Sequence, residues 1–497
     1  MITSNEVQGL YEIVRKLYLE DEIPWVIGYS GGKDSTAAVQ LVWLALKELS
    51  AEERNHKTIH VISTDTLVES PVVAKAVEQS LELMEAESIK QEMPFVPHRL
   101  TPKYEDTFWV NLLGRGYPYP RPMMRWCTDR LKIKPANTFV QDVVSSFGEV
   151  ILLLGTRKAE STNRAKTMEY YEKKRVREHL SPNGTLQNEL IFSPLENWTD
   201  DDVWYYIMQY ENPWGYSNKK LLAMYRGATA DGECPLVMTK DTPSCGKSRF
   251  GCWVCTMVEQ DKSMAAMIMN DSEKEWMLPL LEFRNEIGNA DKDRERRDYR
   301  KMRGNLQPFK GRLVHGPYKK EVREEWLRKL LTIQKNINEN GPDEFKDLQL
   351  ISLEELRIIR RIWLEEKHQF DDSLPGIFFD VLHKKFPFQN ENTNAAYGKA
   401  EWDLLQEICR NELPDDELMM EMSAGIIDIE KQFSYKRKRI GIYEAIEKQI
   451  KNCFYKDEND AEAYAMQKVL RKKEMGASYD TKAEAAIEQD KAEWEDG

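Results

Sequence analysis

The clearest pattern in the first half of the chain is an alternation of short apolar runs with longer stretches of helical spacing. Trp25-Val26-Ile27-Gly28-Tyr29 is an apolar run that ends on Ser30-Gly31-Gly32, and from Ser35 to Leu49 apolar residues recur at helical intervals. That reads as strand, turn, helix. Thr58 to Ser63 repeats the strand signal, and Pro71, suited to a first helical turn, opens a helix expected to reach about Ala86. Phe95 to Leu100 is a third expected strand. Val150-Ile151-Leu152-Leu153-Leu154 lacks polar alternation, as a strand buried on both faces does, and stops at Gly155-Thr156-Arg157. Thr199 followed by Asp202 has the form of a capping box, so a helix is expected to begin there. Strands alternating with helices predict an α/β fold with a parallel sheet flanked by helices.

After about residue 215 this rhythm stops. Gly227 to Met257 is rich in Gly, Pro, Cys and polar residues, as a loop-built ligand site would be. From Ser263 onward the pattern is helical, most clearly at Leu353 to Ile359, and the charged stretch after Tyr455 reads as a frayed helix or tail. No internal repeat is present. The expected organisation is a nucleotide-type domain over 1–215, a cysteine-rich region over 216–262, a basic helical region over 263–350, and a helical region with a charged tail over 351–497.

With 497 residues, 41% hydrophobic and 31% charged, the chain can bury ordinary cores and is not a disordered protein. No stretch approaches the roughly 18 apolar residues of a membrane span, and the first residues lack a secretory leader, so a cytoplasmic location without membrane contact is expected. The net charge of −13 argues against a protein that coats nucleic acid indiscriminately. Yet Arg284 to Leu330 holds 15 Lys/Arg against 8 Asp/Glu. If those cations share a face they can track a phosphate backbone, with Tyr299, Phe309 and Tyr318 as stacking groups; the interleaved acids fit an ordinary solvated helix equally well.

Cys234, Cys245, Cys252 and Cys255 are four of the seven cysteines and have the form C-x10-C-x6-C-x2-C. Two residues between cysteines let both thiolates reach one centre, and four thiolates suit a [4Fe-4S] cluster or a structural Zn2+. Cys127 stands apart, as a candidate persulfide carrier or an inert buried thiol, while Cys409 and Cys453 lie among apolar helical positions and read as core.

Ser30-Gly31-Gly32-Lys33-Asp34-Ser35 carries the sharpest chemistry. Two glycines let backbone N–H groups approach a phosphate, the following helix offers its positive end, and Lys33 and the serine hydroxyls add donors. It is not a Walker A loop, which needs Gly at Ile27 and Ser or Thr at Asp34.

On these residues the sequence resembles the PP-loop superfamily, with its SGGxDS loop, and within it the phosphoadenylyl-sulfate (PAPS) reductase branch. The resemblance extends over Ser63-Thr64-Asp65-Thr66 with Glu69-Ser70-Pro71, Arg125-Trp126-Cys127-Thr128 with Lys132 and Pro135, Gly155-Thr156-Arg157 with Glu160-Ser161 and Arg164, and Pro194 to Trp204. Together these cover about residues 20 to 215. The nearest resemblance is to the DndC family, the ATP pyrophosphatases of DNA phosphorothioation systems.

That resemblance implies an adenine nucleotide alpha hydrolase-like fold and cleavage of ATP between its α and β phosphates. Ser30, Gly31, Gly32, Lys33, Asp34 and Ser35 would hold pyrophosphate, and Thr64, Asp65 and Gly155 would lie by the nucleotide. Lys33, Asp34, Arg157 and Arg164 would be catalytic, the arginines neutralising phosphate charge. Asp34 or Asp65 suits Mg2+, although Asp65 also fits a strand-end residue capping a turn. The resemblance favours the [4Fe-4S] cluster over Zn2+. Implied partners are DNA, a cysteine desulfurase as sulfur donor and other proteins of DNA phosphorothioate restriction-modification. The rival expectations are a PAPS reductase, whose family tail Glu-Cys-Gly-Leu-His differs from the Lys491 to Gly497 ending here, a tRNA-thiolating enzyme, and a non-catalytic Fe-S scaffold of a DNA-modification complex.

Overall fold

The computed structural model describes residues 2–184, 188–228, 250–412 and 417–474. The chain divides into two compact units, residues 1–103 with 127–281 and residues 104–126 with 282–497.

The first unit is built on a six-stranded sheet of β1 (Trp25–Gly28), β2 (Ile59–Thr64), β3 (Phe95–Leu100), β4 (Val150–Leu153), β5 (Ser181–Pro182) and β6 (Glu189–Phe192) in the order β3-β2-β1-β4-β6-β5. All neighbours run parallel except the short β5, which is antiparallel to β6. Successive side chains of β1 point to opposite faces, and those of Trp25, Val26 and Ile27 are all buried, which is why the run is apolar without alternation. Trp25 and Ile27 join the larger core with Tyr11, Val39, Val42 and Trp204, while Val26 packs with Val140, Val143 and Val150 on the other face. Each such burial is worth about 1.5–3 kcal/mol, so the two faces together fix the strand's register.

Local signals set the helix starts. Helix Ser4–Leu19 is capped reciprocally by Thr3 and Glu6, and helix Asp200–Gln209 by Thr199 and Asp202. Helix Pro71–Lys90 has proline in its first turn. The expected α/β sheet flanked by helices, followed by a mostly helical part, is the observed fold.

The described residues of the second unit are mainly helical, with a small hairpin, Pro308–Phe309 and Arg312–Leu313, within the stretch read as helical. Its residues 104–126 are tied in by buried donors. The Trp109 Nε1 donates to Leu350 O at 2.7 Å and the Trp363 Nε1 to Leu113 O at 2.8 Å. Gly114 is needed there, since a Cβ would come within 3.1 Å of Ile362 Cδ1 and 3.4 Å of Ile359 Cγ1. Helix Lys320–Asn340 packs on Ser373–Leu382, and Leu353–Arg361 on the turn Val110–Arg115.

The basic stretch of this unit is largely spent on internal partners. Arg294 bonds Leu313 O and Glu458, Arg297 bonds Gly316 O and Asp293, Arg300 grips Asp298, and Lys329 grips Glu286. Tyr318 is buried and donates to Asp293 Oδ1 at 2.8 Å, so it is no stacking platform. Composition placed cations along this stretch without showing that acids from distant segments meet them. Among the described residues no helix is long and apolar enough to cross a membrane.

Candidate active site

In the first unit, the chain passes from β1 to β2 and β3 on one side of the sheet and places β4 on the other, so the order reverses between β1 and β4. Ligands of open α/β sheets bind outside the carboxyl ends of the strands at such a reversal. A cavity of about 980 Å3 lies there, lined by Ser30 to Ser35, Thr64, Asp65, Arg157, Arg164 and Asp200 among others. That volume suits a nucleotide-sized ligand.

The turn after β1 has the geometry its glycines permit. Gly31 has φ +71°, a left-handed conformation, and Gly32 caps helix Lys33–Lys47 without a side-chain hydrogen bond. The Ser35 hydroxyl donates to Gly32 O at 3.0 Å and accepts from Ser30 N at 3.1 Å, which closes the loop on itself. The Tyr225 hydroxyl accepts the Lys33 N–H at 3.2 Å. Gly155, just past β4, lets the backbones meet: a Cβ there would stand 2.7 Å from Asp34 O and 2.9 Å from Asp34 C.

Two cations and two carboxylates interlock at the floor. Lys33 Nζ lies 3.1 Å from both Asp34 Oδ2 and Asp200 Oδ1. Arg157 donates through Nε to Asp34 Oδ1 and through Nη2 to Asp200 Oδ1, each at 2.6 Å, and through Nη1 to Trp198 O at 3.2 Å. Burial opposes the charge on Lys33, yet Asp34, Tyr225 and Asp200 outweigh it and hold the ammonium above its ordinary value. Burial likewise acts against the Asp200 carboxylate, but Lys33 and Arg157 prevail and keep it below the usual aspartate value. Lys33, Arg157 and Asp200 are therefore ionised near neutrality. The two cations are anchored by carboxylates, a preorganised arrangement for charge that develops on phosphoryl oxygens.

The other expected residues are placed as follows. Thr64 ends β2 at the cavity, and Arg164, exposed at its lining, is 3.6 Å from Glu160 Oε2. Asp65 caps a turn, accepting from Leu67 N at 2.8 Å, and pairs with Arg99 through its other oxygen. Cys234 and Cys245 lie outside the described residues. Cys252 and Cys255 close a short turn, Cys255 N to Cys252 O at 3.0 Å, that is fastened to the loop after β2 by Trp253 N to Val68 O at 3.0 Å and Ser70 N to Gly251 O at 3.4 Å.

Cys252 Sγ is 3.3 Å from Thr66 Oγ1 and 3.7 Å from Glu69 Oε1, and Glu69 is 3.3 Å from Lys132 Nζ. Both Glu69 and Lys132 also line the cavity, so the cysteine turn stands at its edge. Burial and Glu69 push the Cys252 thiol up; burial, with Cys255 nearby, does the same for Cys127. The sequence reading gave no site role to Asp200, Tyr225, Glu69 or Lys132. Asp200 was hidden inside the capping box, and Tyr225 had no local signal.

Residues 24–257 match the family model described as the phosphoadenosine phosphosulfate reductase domain. This stretch, a little under half of the chain, has a PP-loop-like fold. Solved structures to which the chain is similar include a PAPS reductase from Candida auris in a phosphate complex, at 12% identity, covering 42% of this chain and 87% of that one with a TM-score of 0.25. Another is the U34-tRNA thiolase NcsA from Methanococcus maripaludis with its [4Fe-4S] cluster, at 14% identity, covering 44% and 72% with a TM-score of 0.28. The comparison with curated proteins gives no match.

Two kinds of donor lie at or beside the cavity. Asp34 and Asp200 both face the cavity, and a pair of carboxylates plus substrate phosphate is the donor set of Mg2+. Cys252 and Cys255, with Cys127 close by, supply soft thiol donors beside the cavity. Among the described residues no three His, Cys, Asp or Glu side chains are arranged to hold a metal.

Proposed function

We propose that the chain is an ATP pyrophosphatase that cleaves ATP to AMP and pyrophosphate and thereby activates a phosphate oxygen for replacement by sulfur, as in DNA phosphorothioate modification. The observation that carries this reading is the cavity at the β1/β4 reversal, with Lys33 and Arg157 anchored on its floor and the Cys252–Cys255 turn at its edge.

In this reading the N–H groups and hydroxyls of Ser30 to Ser35 receive the β and γ phosphates. Lys33 and Arg157 neutralise the charge that grows on the leaving pyrophosphate, and Asp34 and Asp200 hold both cations in place. Asp34 and Asp200 would hold Mg2+, which would supply further positive charge against the phosphates. An oxygen of the acceptor attacks the α phosphorus, the bond to pyrophosphate breaks, and the acceptor carries AMP. Sulfur from a cysteine desulfurase persulfide then displaces AMP from the acceptor phosphorus, and a second thiol supplies the two electrons that cut the S–S bond. A [4Fe-4S] cluster on Cys234, Cys245, Cys252 and Cys255 would supply electron- or sulfur-transfer chemistry next to that site.

Two experiments test the reading. Holoprotein incubated with ATP and Mg2+ should release pyrophosphate; release of orthophosphate alone contradicts it. Sulfur incorporation into duplex DNA, with tRNA as the parallel substrate, decides the acceptor: sulfur in tRNA alone defeats the DNA assignment and leaves the pyrophosphatase standing.

A further inference from the structure

Two helices of the second unit, Glu417–Ser434 and Ile442–Asn452, pack against each other as a hairpin whose stem and tip are built differently. The stem is closely packed. Gln449 Nε2 crosses from the second helix to Glu421 O at 3.0 Å and lies on Gly425, where a Cβ would stand 2.2 Å from that nitrogen. Ile442, which opens the second helix, is buried, as are Ala424 and Ile429 of the first. The tip, residues 435–441, is exposed throughout. Tyr435 and Ile440 are each 80% exposed there, and Tyr443, just past the buried Ile442, is 86% exposed.

The tip carries four consecutive cations, Lys436-Arg437-Lys438-Arg439. Arg439 is held by Glu430 at 2.7 Å, and Lys436 lies over the Phe433 ring at 3.9 Å, a contact that leaves its charge unneutralised. Among the described residues Lys436, Arg437 and Lys438 form no ion pair. The neighbouring acids are committed elsewhere, Asp428 to His368 and Gln432 and Glu447 to Lys451, which leaves the exposed Glu444 against three cations. The basic stretch of 284–330 is the opposite case, since its cations meet acids inside the fold. Charge concentrated at a tip that packing does not use repels itself and matches an array of phosphates. In a chain of net charge −13, it is also where a polyanion is drawn.

We propose that this tip is a contact surface for the backbone of duplex DNA. Lys436, Arg437 and Lys438 pair with phosphates and release their counterions, and the hydroxyls of Tyr435 and Tyr443 donate to phosphate or sugar oxygens. The choice of DNA among phosphodiester polymers rests on the acceptor proposed above. The tip contains no residue of the nucleotide cavity, so it holds the acceptor and takes no part in ATP cleavage.

The test uses the full-length protein without ATP, and duplex DNA affinity is measured against salt. Beside wild type stand the triple variant Lys436→Gln, Arg437→Gln, Lys438→Gln, the double variant Tyr435→Ala, Tyr443→Ala, and a control, Lys384→Gln, Lys385→Gln, that removes exposed cations elsewhere in the same unit. All positions are exposed, so Tm should be unchanged. The slope of log K on log salt should become shallower by about 0.9 for each tip cation replaced. The tyrosine variant should bind several-fold more weakly on an unchanged slope, and the control should bind as wild type does. Wild type that does not bind DNA, a triple variant that binds like wild type, or an equal loss per charge in the control overturns the proposal. Transfer RNA and phosphatidylserine vesicles are titrated in parallel; tip-dependent binding to either one without binding to DNA assigns the tip to that surface instead and overturns it too. Pyrophosphate release from ATP without DNA should be the same in all four proteins. If wild type releases none yet binds DNA through the tip, the pyrophosphatase reading fails and this surface stands.

Discussion

Arg157 and Asp200 are 43 residues apart in sequence and share a 2.6 Å charge-assisted hydrogen bond at the floor of the cavity. One follows the strand that closes the sheet reversal and the other opens a helix. Their pairing joins the end of β4 to helix Asp200–Gln209, and through Asp34 and Lys33 to the glycine loop. Replacing Arg157 with alanine therefore does two things. It leaves two carboxylates facing Lys33 alone, which should cost about 3 kcal/mol of stability, and it removes an electrostatic donor, which should lower kcat for pyrophosphate release by about 10²-fold or more. Urea unfolding and steady-state kinetics read the two effects separately. Arg157→Lys keeps the charge and loses the fork, and should fall between wild type and alanine on both.

Gly155→Ala tests the close approach of backbones. The added methyl would stand 2.7 Å from Asp34 O, and backbone on both sides cannot yield cheaply. The loop must shift, at a cost of about 1–3 kcal/mol, and the KM for ATP should rise at least several-fold while the second unit is unaffected. An unchanged KM would mean that Gly155 does not help shape the phosphate cradle.

His60 and His98 make the first unit sensitive to mild acid. They sit on β2 and β3 with His60 Nδ1 3.0 Å from His98 Nε2, and both lie against Phe139, His60 edge-on and His98 tilted. Burial, and for His60 the neighbouring His98, hold both rings below the ordinary histidine value of 6.5. The unfolded chain takes up these protons first, so the contribution is intact above about pH 6.5 and is lost as pH falls from there through the depressed folded values. Urea midpoints at pH 7.5 and pH 5.5 should show a drop for wild type, and a smaller one for His98→Gln.

The cysteines divide by place. Cys252 and Cys255 stand at the cavity edge, whereas Cys453 accepts from Gln449 Nε2 at 3.7 Å in the second unit and burial raises its thiol to about 11. In anaerobically purified protein, Cys252→Ala and Cys255→Ala should abolish iron and its visible absorbance, while Cys409→Ala and Cys453→Ala retain both. Stoichiometric zinc without iron in wild type would replace the cluster with a structural metal.

Much of the first unit was legible because its strands are buried on both faces, so Trp25 to Tyr29 and Val150 to Leu154 appear as unbroken apolar runs between turn residues. The glycine loop was legible for the same kind of reason: its chemistry is local. Asp200 was not, because the residue after Thr199 serves both the helix start and the ion pair, and capping accounts for the pattern by itself. Nor was the assignment of 104–126 to the second unit, which depends on Trp109, Leu113 and Gly114 meeting residues more than 200 positions away. The basic stretch shows the limit of composition most plainly. Arg294 finds its acid at Glu458, and no count of charges within 284–330 contains that partner.

The central claim is that Lys33, held 3.1 Å from Asp34 and from Asp200, faces the pyrophosphate that leaves ATP. The most direct measurement is pyrophosphate release from ATP and Mg2+ by wild type and by Lys33→Met, with nucleotide binding measured in parallel. The account predicts stoichiometric pyrophosphate and AMP from wild type and a loss of about 10²-fold or more in the variant, since one preorganised donor is removed. Release of ADP and orthophosphate, or full activity in Lys33→Met, would contradict it.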